Sequence, residues 1–305
     1  MLKKKLCHKG VHYIMSVIKS EPNTARYQPT AKSFPCSIMN CHYIRFPLDY
    51  FLDAMQRFGF TQIELFGGMP HFYLDDADEA LTAETKRACD ARGLKIASFT
   101  PAQGVYPMSI SIDSEKPRRR TVALLKKGIA ATDALGAKTM LVSPAFGYET
   151  QSRDYVWGLC RDSLSELGEY AASYGVTLMI EPLTPMTSNV INTSVQSAKM
   201  IADVGSPFVK SMMDIGVMNY MGETVDAYFD NLGDNLAHIH FTDGPGAHVA
   251  LGDGTFAMAD YAEQILRHEY HGLWSFEIND KRYLSDPDAA TVKNIEWLQK
   301  NGFSK

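Results

Sequence analysis

Four short runs of apolar, strand-forming residues in this sequence each end on a side chain that can bind a metal ion. The runs span 177–180, 210–213, 236–239 and 273–276, and the side chains that follow them are Glu181, Asp214, His240 and Glu277. A carboxylate at the tip of a buried strand is costly to desolvate unless a cation or a hydrogen-bond donor compensates it. Four such tips in one chain therefore predict a shared site for a cation.

Taken alone, each of these side chains has an ordinary structural explanation. A carboxylate at a strand end often caps a helix or joins a salt bridge in a loop, and a histidine there is often only hydrogen-bonded. Their occurrence on four consecutive strands favours the metal site. Carboxylate oxygens with a single imidazole suit Mn²⁺, Mg²⁺ or Co²⁺ better than they suit a thiolate-type zinc centre.

The elements that must position these side chains alternate regularly from Ser33 onward. Hydrophobic patterns predict eight strands, at 34–42, 61–67, 94–100, 138–144, 177–182, 208–215, 236–243 and 273–279. They predict eight helices, at about 47–58, 77–92, 115–135, 153–174, 193–204, 223–231, 258–268 and 287–300. Glycines such as Gly59 and Gly175 follow several of these helices, as is usual where a helix ends.

Eight strand–helix units without a break in composition predict a single (β/α)8 TIM barrel over residues 33–305. An open, doubly wound sheet is the alternative. No Gly-x-Gly-x-x-Gly follows the first strand, which counts against a dinucleotide-binding fold. In a barrel the carboxyl ends of the strands meet on one face, so the four strand tips would converge there.

The composition is that of an ordinary globular protein. The 305 residues are 45% hydrophobic and 21% charged, and no apolar run approaches the ~20 residues needed to cross a bilayer. The five cysteines form no Cys-x-x-Cys pair, which indicates reduced thiols in a cytoplasmic protein.

Residues 1–32 differ from the rest because they carry seven basic residues and one acidic residue. We expect a disordered basic extension, or an upstream start with Met15 as the true first residue. Without this segment the chain has a formal charge of −11. Because such an acidic surface repels phosphate backbones, we expect no nucleic-acid partner. We also expect no membrane partner, since no apolar run is long enough to cross a bilayer.

Several segments of the sequence resemble the sugar isomerase/epimerase barrels related to xylose isomerase and endonuclease IV. The resemblance runs from about Phe34 to Leu298. Within this family, the sequence is most similar to the fructosamine 3-epimerase branch. The segments that carry it are 63–71, Thr100-Pro101 with Tyr106-Pro107, 156–158, 181–190, His238-Ile239-His240 with Asp243, and His248 before Gly252-Asp253-Gly254.

The resemblance implies one divalent metal ion held by Glu181, Asp214, His240 and Glu277, with Mn²⁺ ahead of Mg²⁺, Co²⁺ and Zn²⁺. It also implies epimerisation at C3 of a ketose or ketosamine, with interconversion of fructoselysine and psicoselysine as the expected reaction. Inverting a carbon beside a ketone requires removing its proton and returning one on the opposite face. Glu181 and Glu277 are the candidates for these two bases.

Three positions depart from the pattern of the free-ketohexose epimerases in this family. Thr187 stands where they carry a Glu, Val217 where they carry a His, and Gly246 where they carry an Arg. The residues replaced would clamp the oxygens near C1 to C3 of a simple ketose. Their loss favours a differently substituted substrate, although a carboxylate would also be expected at position 187 of a fructosamine epimerase.

Four further residues are candidates for substrate binding. Glu64 and His71 flank a Gly-Gly turn after the second strand, and core packing is the alternative for both. His248, like Asp243, occupies a place where the endonucleases hold a further metal, and we expect substrate contact instead. Trp157 lies in a predicted helix and could pack on the substrate or on a neighbouring subunit. His238 is expected to point away from His240 as a structural residue.

We therefore expect a cytoplasmic homo-oligomer that acts on a small sugar or sugar-amine. Two alternatives stay open. One is another sugar isomerase or epimerase of the same family, such as a ketohexose 3-epimerase or an aldose–ketose isomerase. The other is a non-catalytic or nucleic-acid-processing relative, against which the intact set of ligands and the negative charge argue.

Overall fold

A computed structural model describes residues 35–103 and 108–303 of the chain. Eight parallel strands form one sheet in the order β1-β8-β7-β6-β5-β4-β3-β2. The strands are β1 (Cys36–Ile38), β2 (Gln62–Gly67), β3 (Lys95–Pro101), β4 (Thr139–Val142), β5 (Thr177–Ile180), β6 (Val209–Asp214), β7 (Leu236–His240) and β8 (Leu273–Phe276). This arrangement confirms the predicted (β/α)8 barrel. The predicted extension at residues 1–32 lies outside the described residues.

The helices of the described chain connect the strands. They are α1 (Leu48–Arg57), α2 (Glu79–Asp90), α3 (Glu115–Ala134), α4 (Arg153–Tyr174), α5 (Ser194–Val204), α6 (Ile215–Met221), α7 (Val225–Leu232), α8 (Met258–Arg267) and α9 (Pro287–Lys300). Local capping chemistry fixes several of their ends. The side chain of Asp286 accepts the N–H of Ala289 at the start of α9, and Gly175 ends α4 with a φ of 62°.

The structure departs most from the predicted elements in two places. The first strand was predicted at 34–42, but β1 has only three residues and a short 3₁₀ helix (Asn40–Tyr43) follows it. The second difference is α6, a seven-residue helix that begins directly after Asp214. The side chain of Asp214 accepts the N–H of Val217 at 2.7 Å, so the predicted metal ligand also caps this helix.

The barrel interior has a polar side and an apolar side. Leu141, Met179 and Met212, on β4, β5 and β6, pack together as a small buried cluster. Buried polar side chains lie on the strands at the other side, including Ser37, Glu64, Ser275 and His238. The larger hydrophobic core fills the layer between the sheet and the helices.

The barrel closes between β1 and β2 with little backbone pairing. One parallel bridge joins Met39 to Glu64, and the side chain of the buried Asn40 reinforces it. The oxygen of Asn40 accepts the N–H of Phe66 at 2.7 Å, and its nitrogen lies 2.8 Å from Nδ1 of His71. Side-chain hydrogen bonds therefore complete the closure that the short first strand leaves unfinished.

None of the helices in the described part of the chain is long and apolar enough to cross a membrane. In this part of the chain Cys41, Cys89 and Cys160 are free thiols, as the irregular spacing predicts. The expectations of a homo-oligomer and of a cytoplasmic location stay predictions.

Replacing Asn40 by Leu should lower the free energy of unfolding by about 2–5 kcal/mol, because the substitution leaves the N–H of Phe66 and Nδ1 of His71 buried without a partner. Urea unfolding followed by circular dichroism measures this change. Asn235→Leu, at an exposed position of a 3₁₀ turn, is the matched control and should change stability by less than about 1 kcal/mol. Equal effects of the two substitutions would contradict the closing role of Asn40.

Candidate metal centre

The carboxyl ends of β5 to β8 bring the four predicted ligands together. Glu181 and Glu277 directly follow β5 and β8, whereas Asp214 and His240 are the last residues of β6 and β7. One ligand atom from each side chain lies within 4.8 Å of those of the other three. Because parallel strands of a barrel end at one face, the four positions that the sequence singled out form one cluster.

His240 lies at the centre of this cluster. Its Nδ1 is 3.1 Å from a carboxylate oxygen of Glu277, 3.6 Å from Glu181 and 3.7 Å from Asp214. Its other ring nitrogen, Nε2, faces the opposite way, into the barrel. One imidazole nitrogen and three carboxylates therefore point at a common volume.

Two buried atoms of the cluster fit a divalent cation. Nδ1 of His240 and Oδ2 of Asp214 are buried, and neither has a hydrogen-bond partner in the described part of the chain. Buried polar atoms are normally paired, so two such atoms facing one volume indicate a missing partner. Three carboxylates and one imidazole form a donor set that suits Mn²⁺, Mg²⁺ or Co²⁺.

The two glutamates of the cluster have opposite pKa shifts. Burial raises the pKa of Glu181 to about 7, despite the proximity of His240. Burial also acts to raise the pKa of Glu277, but the imidazoles of His240 and His248 outweigh it and hold that pKa below its usual range. Two carboxyl groups with separated pKa values can divide the tasks of proton donor and proton acceptor.

His248 comes from the loop after β7 and lies beside the cluster. Its Nδ1 is 3.0 Å from Glu277, and its Nε2 is 3.6 Å from Asp214. The close approach depends on Gly216, because a Cβ at that position would lie 3.0 Å from Nε2 of His248. His248 therefore contacts two of the four predicted ligands, at one edge of the site.

Asp243 organises the loop that carries His248. It is buried, and its two oxygens accept the backbone N–H groups of Gly244, Gly252, Gly254 and Phe256 at 2.8–3.2 Å. A backbone pairing between Asp243 and Val249 closes the same loop. Asp243 thus holds the loop together, and the expectation that it contacts the substrate finds no support in these bonds.

Glu64 lies below the cluster, in the interior of the barrel. It is fully buried, with one oxygen 2.9 Å from Nε2 of His238 and the other 3.4 Å from Nε2 of His240. The expectation that His238 points away from His240 is wrong, because residues two apart on a strand lie on the same face. Both histidines therefore point into the barrel, where Glu64 meets them.

Neither His71 nor Trp157 adjoins the four ligands. The ring of His71 is buried between Asn40 and the carbonyl oxygen of Phe46, which lies 2.7 Å from Nε2. Trp157 lies on α4, where its Nε1 donates to Asp203 at 2.8 Å and the ammonium of Lys199 lies 4.6 Å from its ring centroid. The contacts of His71 match the core-packing alternative, and those of Trp157 place it on a helix away from the four predicted ligands.

A cavity of about 450 Å³ opens beside the cluster, with Glu181 and Glu277 in its wall. These two carboxylates are the only charged side chains among the described residues that line it. The other described wall residues are neutral: Phe66, Tyr73, Thr100, Pro101, Ala102, Gln103, Met108, Leu141, Ser143, Ala145, Phe146, Leu183 and Thr187.

Most of these wall residues have no signal in the sequence, because they lie in loops after β2 to β5 without a chemical motif. Five wall residues are exceptions, because they lie in segments that carry the family resemblance: Phe66, Thr100, Pro101, Leu183 and Thr187.

Comparisons with known proteins agree with this geometry. The model of the xylose isomerase-like TIM barrel family matches residues 52–301. The fructoselysine 3-epimerase of Shigella flexneri is 30% identical over 253 residues, which cover 82% of this chain and 91% of that protein.

Two solved structures share the fold. A 3-keto-D-glucoside 4-epimerase from E. coli has a TM-score of 0.75 at 21% identity. The match covers 88% of this chain and 99% of the epimerase chain. An L-ribulose 3-epimerase has a TM-score of 0.73, also at 21% identity, and covers 88% of this chain and 94% of its own. The curated relatives are epimerases, which confirms the expectation of an isomerase. The chain thus belongs to the xylose isomerase-like TIM barrel family.

Proposed function

We propose that this protein is a metal-dependent 3-epimerase of a ketose or ketosamine, with interconversion of fructoselysine and psicoselysine as its leading reaction. The observation that carries the proposal is the cluster of Glu181, Asp214, His240 and Glu277 beside a cavity with two carboxylates in its wall. The similarity to a fructoselysine 3-epimerase supports it. The alternative is another sugar isomerase or epimerase of the same family, such as a ketohexose 3-epimerase.

The four clustered side chains would hold one divalent cation. When bound, the cation supplies positive charge that stabilises the negative charge of an enediolate beside it. The remaining work falls to the protein side chains, which must remove a proton at C3 and return one to the opposite face.

Glu181 and Glu277 are suited to the two proton transfers. They belong to strands β5 and β8, which are three positions apart in the barrel, and both line the cavity. A substrate between them would present one face of C3 to each carboxyl group. Their opposite pKa shifts agree with one group that accepts a proton while the other donates.

The cavity wall favours a substrate without a negative group at its buried end. A volume of about 450 Å³ is within the usual range for a small-molecule site. Apart from Glu181 and Glu277, the described residues that line it are neutral and offer no cation to a phosphate or a buried carboxylate, whereas Phe66, Phe146 and Leu183 can pack against methylene groups. A ketosamine with an aliphatic chain fits such a wall, provided that its charged end reaches the opening.

His248 is the remaining candidate for substrate contact. It stands at the edge of the cluster, 15% exposed, where a substrate oxygen could meet its ring. Glu64, His71 and Trp157 are better explained by their structural contacts.

We expect the purified protein to bind about one Mn²⁺ per chain and to lose its activity on chelation, because the ligand atoms of the cluster need a cation between them. Elemental analysis and activity after stepwise return of Mn²⁺ measure both effects. Asp214→Ala should weaken Mn²⁺ binding at least about tenfold, whereas Asp230→Ala, at an exposed position of α7, should leave it unchanged. Full activity of protein proven to be metal-free would contradict the proposal.

The two-base assignment predicts complementary exchange in two variants. Glu277→Gln should reduce net epimerisation by about 10²–10⁴-fold in both directions, because one face of C3 then has no base. One epimer should still exchange its C3 proton with solvent through Glu181. Glu181→Gln should leave exchange in the other epimer only.

Deuterium at C3 of each recovered epimer, measured by NMR in ²H₂O, tests this assignment. Because both residues are also proposed metal ligands, only variants with a full metal content are informative. Loss of exchange in both epimers of one variant, or absence of exchange in the wild-type enzyme during turnover, would reject two bases.

We expect kcat/KM for fructoselysine to exceed that for fructose or psicose by at least about tenfold, because the neutral wall packs on the aliphatic substituent and position 246 lacks the polar clamp. Fructose 6-phosphate should not be turned over. Steady-state kinetics on the same preparation compare the substrates. A preference for the free sugar would favour the alternative, a ketohexose 3-epimerase.

A further inference from the structure

We propose that Glu64 is a positioning residue for the metal centre: it fixes the orientation and the tautomer of His240 and thereby sets the affinity for the cation. The inference rests on the proposed metal site and adds a residue that touches neither the ion nor the substrate. Glu64 lies on β2, on the far side of the barrel interior from the ligand cluster.

Three donors surround the carboxylate of Glu64. Oε1 accepts the hydroxyl of Thr100 at 2.5 Å and lies 3.4 Å from Nε2 of His240, and Oε2 is 2.9 Å from Nε2 of His238. All three partners and Glu64 itself are buried. A carboxylate is costly to bury, so its donors must compensate the lost hydration.

The direction of the His240 ring connects this carboxylate to the metal. Nε2 faces Glu64, while Nδ1 faces Glu181, Asp214 and Glu277. When Nε2 carries the hydrogen and donates it to Glu64, Nδ1 keeps a lone pair for a cation. A carboxylate behind a metal-bound imidazole also raises the basicity of the ring, and its removal typically costs about 10- to 100-fold in metal affinity.

The connection crosses the barrel. Strand β2 is separated from β7 by β1 and β8 in the sheet, so no backbone hydrogen bond couples the two strands. Glu64 and His240 are 176 residues apart in sequence. The side chain of Glu64 thus braces the metal-facing ring from the opposite wall, and Thr100 on the adjacent β3 holds Glu64 in place.

Glu64, His238 and His240 also lie close enough to hold a second ion themselves. Two observations favour hydrogen bonds instead. The distance of 2.9 Å between Glu64 and His238 is that of an ordinary hydrogen bond, and none of the three side chains lines the cavity through which an ion could enter.

The test compares Mn²⁺ affinity in metal-stripped protein by isothermal titration calorimetry. Glu64→Gln keeps the size of the side chain and removes its charge, and it should weaken Mn²⁺ binding by about 10- to 100-fold. At saturating Mn²⁺ its kcat should recover to within about tenfold of wild type, because the ligands and both proposed bases remain.

Glu223→Gln is the matched control. Its carboxylate accepts the N–H and the hydroxyl of Ser194 at the start of α5, so this change also disturbs a bonded glutamate. It should lower the free energy of unfolding with a change in Mn²⁺ affinity of less than about twofold. A merely structural Glu64 would behave in the same way.

Thr100→Val gives a second variant in case Glu64→Gln does not fold. It removes the hydroxyl that donates to Glu64 and leaves the carboxylate in place. Because Glu64 is then held less firmly behind His240, Mn²⁺ binding should weaken by about threefold or more. Calorimetry should also give about one ion per chain for the wild type.

The possible results are distinguishable. Wild-type protein that binds no divalent ion overturns the proposed function together with this inference. Wild-type binding with an unchanged affinity in Glu64→Gln, or in Thr100→Val if that variant alone folds, overturns the inference alone. A stoichiometry of two ions that falls to one in Glu64→Gln would identify Glu64 as a ligand of a second ion and likewise overturns it.

Discussion

The structure depends on holding three carboxylates close together in a place with little water. Glu181, Asp214 and Glu277 have ligand atoms within 4.8 Å of one another, and Asp214 is fully buried. Like charges at such distances repel strongly at low dielectric, so a flexible chain would separate them. The parallel barrel resists this separation, because each carboxylate stands at the end of a strand that is hydrogen-bonded to its neighbours. A cation between them would convert the repulsion into attraction.

The interior of the barrel supports the site unequally from its two sides. Below Glu181 and Asp214, the buried Met179 and Met212 pack with Leu141. The two carboxylates therefore lie above an apolar layer. Below His240 the interior is polar, with Glu64 and His238 in contact. Apolar packing can fix the position of a strand end, but it offers no hydrogen bond that would select the tautomer of a histidine. Among the four proposed ligands, only the imidazole of His240 has a donor atom that depends on which ring nitrogen carries the hydrogen. It is also the side chain that Glu64 contacts from below.

The sequence predicted those features that depend on residues close to one another in the chain. Strand ends and helix starts follow hydrophobic period, glycine and capping residues, so β2 to β8 and the four side chains that cluster at their ends were predicted. The partners of Glu64 could not be found in this way, because they lie 174 and 176 residues away and meet only across the closed barrel. The direction of His238 was predicted wrongly, although the alternation of side chains along a strand places positions 238 and 240 on the same face. The helix α6 was missed because Asp214 serves both as strand end and as helix cap.

Substrate choice is harder to infer than the metal centre because it resides in loops. The loop after β7 is folded around Asp243, whose four backbone bonds bring His248 to the cluster. Gly246 in this loop has a φ of 91°, a conformation that an arginine would adopt only with strain. The path of this loop therefore favours glycine over arginine at position 246. An arginine at this position would thus require a different loop backbone as well as a different side chain, whereas the four clustered strand-end side chains could stay unchanged.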